Sequence, residues 1–296
     1  MNTARAVLVV ANVVVFATLA EAQTKVEKNV VVGMYSGLAL VMDVHYPENP
    51  NGYGIVHISG SGWRRPLGWS APLLSESQVN LYGQPLVERG YTVFSLNHRA
   101  TPRFQFPAPL EDVQRAVRFI RFHATEYGID PDRIGAVGGS SGGHLVSLLG
   151  VMEGQGDAGD SDPVNRVSAK VQTVVSRAAP VDFAATEPGP TRVALLGAFA
   201  SEDPGSLESR RYREVSPVSY VSKDDPPFLL LHGDADPIVP FEQAKLFRKR
   251  LNAAGVRNRL IAIPGAGHGP TFPGAVDPPD YIGAMIAWFD EHLRKK

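Results

Sequence analysis

Gly138-Gly139-Ser140-Ser141-Gly142-Gly143-His144 lies between two apolar runs, residues 134–137 and 145–151. The first run is short enough for a buried strand, and the second has the length of a helix. A nucleophile held in a sharp strand-to-helix turn needs neighbours without Cβ atoms two positions away, so that strand and helix can approach. In return it gains backbone N–H groups and a helix N-terminus aimed at developing negative charge. Gly-x-Ser-x-Gly fits here in two registers, Ser140 between Gly138 and Gly142 or Ser141 between Gly139 and Gly143. Ser140 has the better claim, because Gly138 then follows directly on the strand and Gly143 still falls in the helix start. A flexible Gly/Ser linker is the simpler alternative, but it does not account for the apolar runs on both sides.

Working outward, residues 30–34 and 38–46 read as a hairpin around Tyr35-Ser36-Gly37. Asp43 and His45 alternate there with Val44 and Tyr46, which predicts a half-exposed pair of strands. Further strands are expected at 54–58, 91–96, 134–137, 171–175, 228–231 and 260–263. The later ones are nearly continuous apolar runs, as in a parallel sheet covered on both faces. Helical spacing recurs between them. Leu110, Val113, Val117 and Ile120 share one stripe while Arg115, Arg118 and Arg121 lie off it, and 241–251 and 281–293 repeat the pattern. The expected fold is α/β, a mostly parallel sheet of about eight strands with helices on both faces. One domain over 23–296 is expected, with small insertions near 66–84 and 182–221.

Composition narrows the function classes. The 296 residues are 44% hydrophobic and 20% charged, which excludes disorder as the main state. Lys and Arg total 29 against 30 Asp and Glu, so there is no overall positive field for nucleic acid. Cysteine is absent, which excludes disulfides, a thiol nucleophile and thiolate metal sites. At the N-terminus Arg5, an apolar run over 6–20 and Ala20-Glu21-Ala22 match a cleaved secretory signal over 1–22. The expectation is a secreted or periplasmic protein with no membrane attachment after cleavage.

A serine nucleophile requires a base. His268 stands in Gly265-Ala266-Gly267-His268-Gly269-Pro270, just past a strand, where flanking glycines leave the imidazole room to reach. His45 and His57 fall on strands and His123 and His292 on helices. His144 and His232 suit packing or hydrogen bonding, and His98 is a loop residue near the expected site. The acid that orients the base is expected in His232-Gly233-Asp234-Ala235-Asp236-Pro237, after the 228–231 strand, where Asp234 and Asp236 both qualify. Ser59-Gly60-Ser61-Gly62-Trp63 ends an earlier strand in small residues. The amides of Ser61 and Gly62, with that of Ser141, are the expected oxyanion donors. Trp63 is a candidate substrate contact, although buried packing is the commoner fate of tryptophan.

Three stretches together resemble the α/β-hydrolase esterases. They are Gly-x-Ser-x-Gly-Gly-His-Leu at 138–145, Pro-Pro-Phe-Leu-Leu-Leu-His-Gly-Asp-x-Asp-x-x-Val-Pro at 226–240, and Pro-Gly-Ala-Gly-His-Gly at 264–269. Phe106-Pro107-Ala108 with Leu110-Glu111-Asp112, and Ser216-Pro217, extend the likeness. The similarity is to the acetylxylan/feruloyl-esterase-like branch, related to the hormone-sensitive-lipase group. It implies Ser140 as nucleophile rather than Ser141, Asp236 rather than Asp234 as acid, and His268 as base. The family's His-Gly-Gly-Gly-Trp turn appears here as Ser59-Gly60-Ser61-Gly62-Trp63, and 23–30 leaves no room for the N-terminal helical cap of the hormone-sensitive-lipase group.

The expected activity is hydrolysis of short acyl esters, with acetyl or feruloyl groups on plant polysaccharide as the substrate class. This chemistry needs no metal and no organic cofactor. Two other readings stand beside it, a prolyl-oligopeptidase-type serine peptidase and a non-catalytic binding protein on the same fold.

Overall fold

The computed structural model describes residues 25–184, 189–198, 201 and 203–294, so the expected signal sequence lies outside the described residues. In chain order the elements are β1 Val26–Tyr35, β2 Leu38–His45, β3 Gly54–Ile58, α1 Val79–Tyr82, α2 Gln84–Glu88, β4 Thr92–Leu96, α3 Ala108–Phe122, β5 Ile134–Gly139 and α4 Ser141–Val151. They continue with β6 Thr173–Arg177, α5 Pro190–Leu196, α6 Leu207–Glu214, β7 Phe228–Gly233, α7 Glu242–Ala253, β8 Asn258–Ile263 and α8 Tyr281–Leu293.

The eight strands form one sheet in the order β1-β2-β4-β3-β5-β6-β7-β8. β1 pairs antiparallel with β2 and β2 antiparallel with β4, while every other pairing is parallel. β3 lies between β4 and β5, so the direction of winding reverses there. In an open α/β sheet the crevice at the carboxyl ends of such strands is where a ligand is accommodated. The turn after β3 and the turn after β5 both open onto that edge.

Period-two alternation splits the core between two faces. Val56, Phe94, Ala136, Val174 and Leu230 pack with residues of α3, α4 and α7. Their neighbours Ile55, Val93, Val137, Val175 and Leu229 pack on the opposite face with α2 and α8. Each buried Leu, Ile, Val or Phe contributes about 1.5–3 kcal/mol. α3 buries its predicted apolar stripe. Its arginines bind carbonyls instead of facing water: Arg115 Nε donates to Val32 O, Arg118 Nε to Val167 O and Arg121 Nη2 to Lys170 O. The last two pin the Gly/Asp/Ser-rich segment after α4 to the helix.

Two expectations change. Asp43 is buried, not half exposed. Pairing of β1 with β2 slips between Glu27 and Val30, and Asp43 Oδ1 accepts the Asn29 amide at 2.9 Å beside the slip. A backbone donor without a strand partner is thereby satisfied from a side chain. The strand expected at 171–175 instead spans Thr173–Arg177. Its polar end is buried because Ser176 Oγ meets Ser147 Oγ at 2.9 Å and Gly143 O at 3.2 Å.

Candidate active site

Ser140 sits between β5 and α4 with φ 54° and ψ −120°, outside the regions open to most L-residues. Such a conformation costs about 1–3 kcal/mol and persists only where its surroundings enforce it. The enforcement here is the absence of Cβ atoms. A Cβ on Gly138 would stand 2.5 Å from Gly142 O, and one on Gly142 would overlap the Ile58 carbonyl of β3. The Ser140 amide donates to Arg177 O at 2.8 Å, and its carbonyl accepts from His144 N at 2.9 Å in the first turn of α4.

The loop after β8 brings His268 Nε2 to 2.9 Å from Ser140 Oγ. His268 Nδ1 lies 2.7 Å from Asp236 Oδ2, in the loop after β7. Asp236 Oδ1 accepts the Ile238 and Val239 amides at 2.8 and 2.9 Å. Burial would raise the Asp236 pKa, but hydrogen bonds from His232, His268 and these two amides outweigh it and hold the carboxyl well below the usual range. His232 Nε2 stands 2.8 Å from Val239 O and 3.5 Å from Asp236 Oδ2, so the backbone carbonyl is its closer partner. Both donor contacts to Oδ1 and the imidazole on Oδ2 favour an ionised carboxylate. Asp234 does something else: its Oδ1 accepts from Gly265 N at 2.7 Å and ties down the start of the His268 loop.

Ser141 does not reach the imidazole. It is buried, and its Oγ accepts the Ser61 amide at 2.8 Å across the gap between the two turns. The expected role of the Ser61 amide as an oxyanion donor is therefore corrected, because that N–H is already committed. Gly62 has φ 64° and lines the cavity beside Ser140. No acceptor meets its amide among the described residues. The Ser141 amide is at the start of α4, where N–H groups lack intrahelical partners. Trp63 also departs from expectation. It is only 4% exposed, donates Nε1–H to His144 Nδ1 at 3.1 Å and packs against Phe183. Its ring is spent on the core, and it borders the cavity as part of the wall.

A family model described as BD-FAE matches residues 42–251. The chain belongs to the BD-FAE family. Among curated relatives, the "Probable carboxylic ester hydrolase LipM" of Mycobacterium tuberculosis is 34% identical over 206 residues, covering 64% of this chain and 47% of that protein. This BD-FAE chain spans about half the length of the curated relatives it matches. Among solved structures, "Truncated form of carbohydrate esterase from gut microbiota" is 29% identical with a TM-score of 0.75, covering 93% of this chain and 99% of that one. An acetyl ester-xyloside bifunctional hydrolase from Caldicellulosiruptor lactoaceticus is 27% identical with a TM-score of 0.75, covering 89% and 95%. The eight-stranded sheet and these neighbours are those of the α/β-hydrolase fold.

Two features of this BD-FAE site have no local signature in the sequence. The first is Arg177, 2% exposed at the end of β6. Its Nη1 donates to Gly269 O, next to His268, at 2.6 Å. Its Nη2 lies 3.4 Å from Gln78 Oε1, and Gln78 Nε2 donates to Gly60 O at 3.1 Å. One guanidinium thus braces the loop of the base and, through Gln78, the turn after β3. The apolar run that marks this strand in the sequence ends at Val175, so nothing local marks Arg177. The second is the wall from α5. Pro190, Thr191 and Arg192 line a cavity of about 500 Å³ with Ser140, His268 and Ile238. The start of α5 therefore borders the site.

Proposed function

We propose that this chain is a serine carboxylic ester hydrolase acting by two-step acyl transfer. Ser140 Oγ attacks the ester carbonyl as His268 Nε2 takes its proton. Asp236 holds the imidazole tautomer and stabilises the imidazolium. The amides of Gly62 and Ser141 receive the oxyanion, each worth about 3–4 kcal/mol at the transition state. His268 then gives its proton to the leaving alkoxide, and water repeats the sequence on the acyl-serine to release the acid. The Ser61 amide supports the turn through Ser141 Oγ.

The observation that carries this reading is the unbroken relay Ser140 Oγ–His268–Asp236, at 2.9 and 2.7 Å, opening on the cavity. The carbohydrate-esterase and acetyl ester-xyloside neighbours support acetyl groups on plant polysaccharide as the natural esters. Export is part of the proposal and rests on residues 1–22, outside the described residues. Among the described residues no helix is long and apolar enough to cross a membrane.

Hydrolysis of p-nitrophenyl acetate by the intact protein, Ser140→Ala and Ser141→Ala tests the assignment. Activity lost in Ser140→Ala and kept in Ser141→Ala is the expected result. A folded but inactive parent protein would reject the ester reading and turn attention to amide substrates or to binding alone. Acetylated and feruloylated xylan fragments then define the acyl group.

A further inference from the structure

The strip of chain that leaves the oxyanion turn carries a second feature. Gly62 and Trp63 line the cavity at Ser140. The adjoining Ser61, Arg64, Arg65 and Leu67 line a hollow of about 580 Å³. Arg65 and Leu67 are shared with a third hollow of about 280 Å³, which reaches Arg103. The strip is held against the segment before α3: Thr101 N donates to Trp63 O at 2.8 Å, and Arg65 N to Thr101 O at 3.2 Å. The three hollows therefore lie along one pinned piece of backbone, residues 61–67, part of which lines the cavity at Ser140.

Charge along this path is one-sided. Among the described residues, no Asp or Glu lines any of the three hollows. Arg64, Arg65 and Arg103 have no carboxylate in ion-pair range there, whereas the neighbouring Arg99 is paired with Asp112 and Glu111. The chain as a whole carries a net charge of −1, so this concentration of positive charge is local. A second observation is independent of the charge count. Arg65 Nε and His98 Nε2 are both buried and have no hydrogen-bond partner among the described residues. His98 is 4% exposed, and its Nδ1–H donates to Arg99 O at 2.9 Å, which leaves Nε2 of the neutral ring as an acceptor. A buried donor left unpaired, as Arg65 Nε–H is, costs about 1–3 kcal/mol, so the hollow is built with unmet donor capacity. Trp69, next in sequence to the lining residue Gly68, is fully exposed, an aromatic face available to a sugar ring.

We propose that this strip is the binding path for an anionic polysaccharide, one whose backbone or branches carry uronate carboxylates, and that it selects such esters over neutral ones. The inference rests on the ester-hydrolase reading of the adjoining site. Guanidinium forks match carboxylates in a two-pronged geometry that neutral sugar hydroxyls do not supply. The esterified sugar reaches Ser140 while uronates further along the chain meet Arg64, Arg65 and Arg103. Most of the discrimination is electrostatic, so it weakens as salt rises.

Binding is the readout, so that it stays legible whether or not ester hydrolysis is found. Isothermal titration of Ser140→Ala with acetylated glucuronoxylan oligosaccharides is compared with neutral acetylated xylan oligosaccharides of equal length. The expected result is binding at least about tenfold tighter for the uronate-bearing chain at low salt, the advantage shrinking at high salt. Adding Arg64→Gln and Arg103→Gln, both at exposed positions, removes that advantage. Circular dichroism verifies folding, and the parent with Arg65→Gln alone is a second variant with the same expected direction. Equal affinity for the two oligosaccharides overturns the proposal, as does an advantage that survives both variants. Preferential binding to anionic lipid vesicles overturns it as well, by assigning the arginines to a membrane surface.

Discussion

Replacing Arg177 with methionine sets two physical effects against each other in stability and makes them act together in catalysis. The guanidinium is 2% exposed, and no carboxylate lies in ion-pair range among the described residues. Its company is the Tyr82 ring at 5.1 Å, the Phe272 ring at 5.6 Å and two oxygen acceptors. Burial pulls its pKa down, the sign of a cation held at a cost. Losing the 2.6 Å bond to Gly269 O removes about 1.5–3 kcal/mol. Removing a buried, unpaired charge returns several kcal/mol, so the two effects nearly cancel. Stability is expected to stay within about 2 kcal/mol, a shift of only a few degrees in Tm for a chain this long. Activity has no such compensation, because the His268 loop and the Gly60 turn lose a common brace. A displacement of about 1 Å at the reacting groups costs about 10²-fold. The expected outcome on p-nitrophenyl acetate is a fall of that size, mostly in kcat, with partial recovery in Arg177→Lys. Wild-type kcat in Arg177→Met would refute the bracing role, and so would a collapse in Tm that accounts for the whole loss.

Other consequences follow from the same contacts. Burial pushes His57 down to about 3, and His98 and His144 down to about 4. The folded chain keeps these three neutral while the unfolded chain protonates them near pH 6.5, so acid favours unfolding. Stability is fully present above about pH 6.5 and falls by up to about 4 kcal/mol per unit as pH drops toward 4, which urea titrations at about pH 7, 6 and 5 measure. A nearly flat profile would contradict their burial as neutral groups. Gly142→Ala pushes a Cβ onto the Ile58 carbonyl and is expected to cost about 3 kcal/mol or more, read as a lower urea midpoint. Ser141→Ala leaves the Ser61 amide without its acceptor, with an expected loss of about 1–2 kcal/mol in stability and less than about tenfold in kcat.

Much of the site was legible because its demands are local. The strained turn at Ser140 needs glycines at fixed offsets, and the Asp236 and His268 loops each follow an apolar strand on the same edge. α8 matches its expected span, since its stripe is uninterrupted between polar ends. What escaped was polar and distant. Ser176 and Arg177 end β6 as polar residues satisfied by partners on α4, Gln78 and Gly269, which no window of sequence brings together. The commitment of the Ser61 amide depends on Ser141, 80 positions away. Trp63 reads from the sequence as a candidate substrate contact with packing the commoner fate, and its bond to His144 decides for packing. Asp43 was misplaced because the slip in β1 that it satisfies leaves no trace in the alternation of apolar residues.

The account stands on Ser140 being a hydroxyl activated by His268. Labelling with a diethyl phosphoryl ester reagent, followed by peptide mass spectrometry, reads this directly. The expected result is one phosphoryl group per chain on Ser140, with p-nitrophenyl acetate hydrolysis lost in step and labelling slowed about 10²-fold or more in His268→Ala. A label on Ser141, or none on the folded protein, would contradict the account.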